Sequence, residues 1–320
     1  MSGLELARLN LLSPVVLAFV LGAVAVLVRS DLRIPEQLYG ALSIYLLLSI
    51  GLRGGVELSN TSLGAFWKPA LATLALGIAV PLWSYAILRY PGRFDVANAA
   101  ALAAHYGSVS AVTFSASLTF LESLHIPYEG YMPTLVAFLE VPAIMVALLI
   151  ARARMRGGGA LGEALRELLT GRSILLLVGG LIIGYLSKEE GYKQVAPLFT
   201  DLFKGALAIF LLEMGMVAAG RFRDLRAVGP FLIGFGILMP IIHGTVGIAL
   251  GSAVGLSLGG SFILGVLAAS ASYIAAPAAV RIALPEANPG YYLTAALAIT
   301  FPFNLAIGLP LYYAIAQRFH

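Results

Sequence analysis

Two stretches decide how this chain is read: Ala104-His-Tyr-Gly-Ser-Val-Ser-Ala-Val-Thr113 and Ala268-Ala-Ser-Ala-Ser-Tyr-Ile-Ala-Ala-Pro277. Each lies inside a long apolar run and fills its middle with hydroxyls and small residues. The first carries Gly107, Ser108, Ser110 and Thr113; the second carries Ser270, Ser272 and Tyr273, followed by Pro277. Glycine and proline weaken a helix, and proline also removes a backbone donor. Irregular backbone at membrane depth is tolerated only where it lines protein or a cavity. Half-helix N-termini at such a break present free N–H groups and the positive end of the dipole, which suit a small anion. Serine hydroxyls donate to an anion or offer their oxygens to a cation. Ordinary small-residue helix packing would account for either stretch alone. Two of them at matched positions point to a binding site.

The surroundings of both stretches are those of a membrane protein. Sixty per cent of the 320 residues are hydrophobic, against 20 Lys or Arg and 16 Asp or Glu. A soluble fold cannot hide so much apolar surface behind so few charges. At about 20 residues per crossing, ten apolar runs are read as spans. These are Leu11–Val28, Leu38–Leu52, Phe66–Leu88, Val96–Leu121, Met132–Ala151, Ser173–Leu186, Val195–Ala219, Ala227–Leu250, Phe262–Leu284 and Tyr291–Ala316. The second and sixth are short for a crossing. The net charge of +4 is spread over loops and does not mark a nucleic-acid binder. The absence of cysteine excludes disulfides and thiolate chemistry. With four scattered histidines and no H-E-x-x-H, no catalytic constellation is visible, and the chain is not read as an enzyme.

Lysine and arginine set the expected orientation. Loops after odd-numbered spans hold thirteen arginines, including Arg152, Arg154 and Arg156, whereas the other side holds seven Lys or Arg. The arginine-rich side is expected to be cytoplasmic, with both termini outside a bacterial plasma (inner) membrane. The longest inside loop pairs a flexible Gly157-Gly158-Gly159 with an amphipathic helix from Leu161 to Leu169.

The two halves repeat. Gly40-Ala-Leu-Ser-Ile-Tyr-Leu-Leu47 matches Gly205-Ala-Leu-Ala-Ile-Phe-Leu-Leu212, Val80-Pro81 matches Met239-Pro240, and Gly107-Ser-Val-Ser110 matches Ala269-Ser-Ala-Ser272. Gly130 with Pro142 matches Gly290 with Pro302, and the four separations run only from 159 to 165 residues. The expected organisation is a first five-span repeat over 1–156, a cytoplasmic linker over 157–172 and a second repeat over 173–320. Five spans each force the second repeat to enter upside down, an architecture recurrent among secondary transporters.

Intramembrane carboxylates come next. Glu140 lies in the fifth span, two residues before Pro142, and Glu213 lies in the seventh. A buried acid costs several kcal/mol unless it is paired, hydrated, protonated or cation-bound (roughly,). Glu140 is the first candidate to coordinate a coupling sodium ion, with hydroxyl oxygens of Ser110 and Ser272 in reach. Thr300 is its counterpart in the second half, and Asn304 stands one turn beyond.

With these motifs quoted, the sequence resembles the sodium-dependent bicarbonate symporter family of bacteria and cyanobacteria. The resemblance runs from about Leu12 to Ala316. It includes Ser13-Pro14, Ile34-Pro35-Glu36, Gly107-x-Val-Ser110-x-x-Thr113, Ile126-Pro-Tyr-Glu129, Glu140-Val-Pro142, Met214-Gly-Met216, Ala268-Ala-Ser-x-Ser272 and Ala287-Asn-Pro289. It implies an all-α, ten-helix inverted repeat, assembled as a homotrimer, in which a core domain moves against a gate domain. It also implies sodium-coupled uptake of bicarbonate, with anion contacts on Gly107, Ser110, Ser270 and Ser272 and a sodium role for Glu140. Cyanobacterial members have an aspartate where this chain has Tyr273, and Ser-Gly-Pro where it has Ala275-Ala-Pro277. The resemblance also implies a cytosolic PII-like regulator as a partner, although the inside loop is much shorter here than in cyanobacterial members. Another small anion, such as a short organic carboxylate, is the alternative substrate.

Overall fold

The computed structural model of the chain describes residues 3–155 and 161–320. Arg156 and Gly157-Gly158-Gly159, the expected orientation anchor and flexible stretch, lie outside the described residues. The described chain is helical, without a strand. A short α1 (Gly3–Leu11) leads at a 62° bend into α2 (Pro14–Leu27). Then follow α3 (Glu36–Ser59), α4 (Leu63–Arg89), α5 (Val96–Gly107), α6 (Ala111–Ser123) and α7 (Met132–Arg154). In the second half, α8 (Leu161–Thr170) meets α9 (Arg172–Lys193) at 46°. After it come α10 (Phe203–Gly220), α11 (Leu225–Ala253), α12 (Leu258–Ala269), α13 (Ala275–Ala283) and a last helix over Pro289–Phe319. Five stretches are long and apolar enough to cross a bilayer, or seven if each bent pair counts as one. The molecule is an all-helical polytopic membrane protein.

Local sequence explains where these helices start. Ser13 accepts from the Val16 amide at 3.3 Å, with Pro14 as first helical residue. Asp95 caps α5 through the Asn98 amide at 2.8 Å, and Ser257 caps α12 through that of Gly260 at 3.1 Å. These side-chain oxygens satisfy first-turn donors that have no acceptor within the helix. The second apolar run, short for a crossing, continues as the 24-residue α3 through Arg53 and Glu57, so hydropathy alone underestimates its length. The sixth stays short: the backbone leaves helical geometry at Lys188 (φ 52°), two residues past the end of the run at Leu186.

Two helix pairs, α3 with α9 and α2 with α10, cross in the closest contact. Glycines make the approach possible. A Cβ at Gly22 would collide with the Leu212 carbonyl, and one at Gly215 with that of Phe19. In the other pair, Gly55 meets the Leu181 carbonyl and Gly184 that of Leu52. Without a hydrophobic force between helices in lipid, such close backbone packing drives association. Outward on these and neighbouring helices stand Leu17 and Leu21, Ile182 and Ile183, Leu71 and Ile78, Leu238 and Ile242, all exposed. They form an outward apolar surface.

α5 and α12 are enclosed instead: Ala99–Ala104 and Phe262–Leu264 are inaccessible to solvent. α4 and α7 pack on α5, α11 and the last helix pack on α12, α6 lies against α12, and α13 against α5. Each half thus supplies its own outer helices, while its broken span reaches into the other half. Two reciprocal clamps hold this arrangement. Glu129 accepts from the Ser257 amide at 2.7 Å and from its hydroxyl at 3.0 Å. Asn98 Oδ1 accepts from the Asn288 amide at 2.8 Å.

Candidate functional site

The breaks fall where the two hydroxyl-rich stretches lie. Residues 108–110 separate α5 from α6, and residues 270–274 separate α12 from α13. Ser108 and Ser270 leave their helices in extended conformation. None of the four half-helices exceeds 13 residues, about 20 Å at 1.5 Å per residue, so none crosses a bilayer alone. The breaks bind each other. The Ser110 amide donates to Ser270 Oγ at 2.9 Å, and the Ser272 amide donates to the His105 carbonyl at 2.8 Å. Ser270 directs its own proton to the Leu267 carbonyl at 2.9 Å.

Ser110 is the N-cap of α6. Its oxygen accepts from the Thr113 amide at 3.1 Å, and its hydroxyl faces Tyr273 Oη at 3.3 Å. With Thr113 satisfied, the amides of Ala111 and Val112 remain as first-turn donors without an intrahelical acceptor. α13 is a poorer donor. Pro277 has no N–H, and the Ala276 amide goes to Ser272 Oγ at 3.3 Å.

A cavity of about 10 Å³ lies beside the N-terminus of α6. Val109, Ser110, Ala111, Glu140, Ser173 and Tyr273 line it, with Leu47 and Ile274. That volume admits one particle the size of a water molecule. Glu140 is 5% exposed and makes no hydrogen bond or ion pair with the described residues. The cavity therefore joins a buried, uncompensated carboxylate to hydroxyl oxygens of Ser110, Ser173 and Tyr273 and to the positive end of a helix. Hard oxygen ligands around a buried negative charge suit a small cation, while the amides beyond them suit an anion.

A larger cavity lies next to this small one. A cavity of about 300 Å³ at the bend between α8 and α9 is lined by Glu167, Gly171, Arg172, Ala275 and Ala278, and shares Ser173 and Ile274 with the small one. Another, of about 380 Å³, lies toward the C-terminal end of α6 among Asn10, Ser13, Thr119, Ser123 and Lys204, and shares no residue with the small cavity.

The structure brings together Glu140, Ser110 and Tyr273 from the expected set. Ser270 and Ser272 sit in the opposing break, where they hold the first one. Gly107 packs tightly, since a Cβ there would lie 2.9 Å from Pro81 and 3.1 Å from Ala143. Ser108 is fully buried, and its hydroxyl has no partner among the described residues. Thr113 is buried one turn into α6. Thr300 and Asn304 do not join Glu140. Thr300 donates to the Gly236 carbonyl at 2.7 Å and meets Tyr106 Oη at 2.7 Å. Asn304 donates to the Ala269 carbonyl at 2.8 Å and accepts from Tyr312 at 2.7 Å. Both lie on or beside π-type turns around Pro302, their polar atoms already engaged. His105 donates from Nδ1 to the Ala101 carbonyl at 2.7 Å and stacks on Tyr292. Arg281 stands exposed at the end of α13. Glu213 keeps one carboxylate oxygen buried and without a hydrogen-bond partner among the described residues, and Lys204 pairs with Glu122 instead.

Sequence reasoning missed Ser173, the contribution of α9 to the cavity. It also missed that α1 matches α8: Glu5 and Arg8 lie 158 residues before Glu163 and Arg166. The spacing was a usable signal. The family described as the Na+-dependent bicarbonate transporter superfamily matches the chain over residues 14–317. No curated protein matches it.

Proposed function

The chain belongs to the Na+-dependent bicarbonate transporter superfamily, a family of transporters and not of enzymes, and from that premise we propose that it is a sodium-coupled symporter of a small anion, bicarbonate before any other. One observation carries this reading: Glu140, a buried carboxylate without a partner among the described residues, shares a cavity with the start of α6, where the amides of Ala111 and Val112 have no intrahelical acceptor. Sodium would bind at Glu140 with the oxygens of Ser110 and Ser173. The anion would take the amides of Ala111 and Val112, with the hydroxyls of the two breaks around it. Each ion lowers the cost of removing the other from water, which couples their movement.

The mechanism is alternating access. In this reading the helices make ten spans, arranged as two inverted repeats. The reciprocal packing of the broken spans supports it, as do the paired crossings α2–α10 and α3–α9 and the matched bent pairs α1–α2 and α8–α9. The two crossed pairs would be the gate, and the bundle around α5 and α12 the core. The cavity at the α8–α9 bend reaches Ser173 and Ile274, so this conformation would be open on the arginine-rich, cytoplasmic side. Uptake of labelled bicarbonate into proteoliposomes tests the proposal. Sodium-dependent, saturable uptake is expected; unchanged uptake with choline in place of sodium would end the coupling claim.

A further inference from the structure

Tyr273 links the two breaks. It belongs to the second, yet its hydroxyl ends on Ser110, the cap of the first, at 3.3 Å. Its ring stands edge-on against Phe301 at 5.5 Å between centroids. The side chain is 9% exposed. It is also the largest polar side chain on the wall of the small cavity, and the space left beside it is about 10 Å³. A four-atom anion needs more room than one water molecule, so the anion enters only as this wall gives way. Phe301 backs the ring and limits how far it yields.

We propose that Tyr273 is the specificity-determining residue of the site: its phenol fills the space beside Ser110 and Glu140 into which a carboxylate larger than bicarbonate would extend. The inference rests on the reading of the site given above and adds the size class of the substrate. The physical basis is bulk. A close-packed wall rejects an extra methyl or methylene by about 10- to 200-fold, and removing the wall removes the rejection.

The test is competition for labelled bicarbonate uptake by the full-length reconstituted chain, with acetate and pyruvate as competitors. Acetate, with the same number of heavy atoms as bicarbonate, is the size-matched control; pyruvate, which is larger, competes weakly in the wild type. Tyr273→Ala is expected to strengthen pyruvate competition relative to unlabelled bicarbonate by about tenfold or more. Tyr273→Phe, which loses the hydroxyl and keeps the bulk, is expected to retain the wild-type ratio. Tyr273→Leu gives a smaller shift in the same direction as Ala and serves if the Ala variant does not fold. An Ala or Leu variant that transports bicarbonate with an unchanged ratio overturns the proposal. So does a Phe variant that shifts the ratio as far as Ala, since a hydrogen bond would then set the preference. A wild type without sodium-dependent bicarbonate uptake would instead bring down the reading of the site, whatever the Tyr273 variants do.

Discussion

The ammonium of Lys204 lies 2.8 Å from a carboxylate oxygen of Glu122 and ties the start of α10 to the end of α6. Arg53 and Asp201 share the same cleft of about 250 Å³. The pair joins a helix of a crossed pair to a half of a broken span, so in the proposed mechanism it would bridge the gate and the core. With the lysine side chain 57% exposed, the pair is worth at most about 1 kcal/mol of stability. Its interest is positional. The chain has no cysteine of its own, so Glu122→Cys with Lys204→Cys offers one unambiguous cross-link. A short bis-maleimide is expected to stop uptake in the double variant and to leave each single variant active. Full uptake by the cross-linked protein would show that α6 and α10 stay together through the cycle.

Glu140 carries the charge argument. Glu140→Gln is expected to abolish the sodium dependence of uptake. It is also expected to remove sodium's stabilising effect, which for a site filled at a hundredfold its dissociation constant is about 2.7 kcal/mol. Thermal unfolding of the detergent-solubilised protein, with sodium or with choline, measures this without reference to transport. Equal sodium-induced shifts in wild type and variant would move the cation elsewhere.

Ser110 and Ser272 are predicted to differ. Ser110→Ala removes the cap of α6, worth about 1 kcal/mol, together with the contact to Tyr273. Ser272→Ala loses only the 3.3 Å contact to the Ala276 amide, because the bond to the His105 carbonyl comes from its backbone. Uptake and melting temperature are therefore expected to fall further in the Ser110 variant. A reversed order would assign Ser272 the direct ion contact.

The glycine crossings make a stability prediction. Gly215→Ala and Gly184→Ala place a methyl group on a facing carbonyl, and overpacking of this kind costs about 1–3 kcal/mol or more. Gly179→Ala and Gly205→Ala meet nothing within 4 Å and are expected to be neutral. Equal melting temperatures for all four would mean that the crossings are looser than the backbone contacts imply.

The helical breaks were legible because Ser108–Ser110 and Ser270–Pro277 depart from an apolar background in ways a lipid-facing helix would not. Glu140 was legible for the same reason, as a charge without an adjacent partner in sequence. Thr300 and Asn304 were not, because repeat arithmetic gives a counterpart position but not what surrounds it. Their hydrogen bonds to Gly236 and Ala269 depend on how the last helix packs. Ser173 escaped notice because it sits at the start of a helix whose importance is its crossing with α3, a tertiary fact. The length of α3 escaped because hydropathy reads lipid contact and not helix continuity.

The mutual capping of the breaks bears on how the molecule is made. Emerging first from the ribosome, the amino-terminal half carries a Ser110 amide whose acceptor, Ser270, has yet to be translated. Its interrupted helix stays incomplete until the rest of the polypeptide arrives. Two fragments divided between Arg154 and Leu161 would each be left with an unsatisfied strand of backbone, and only their co-production would rebuild a competent carrier.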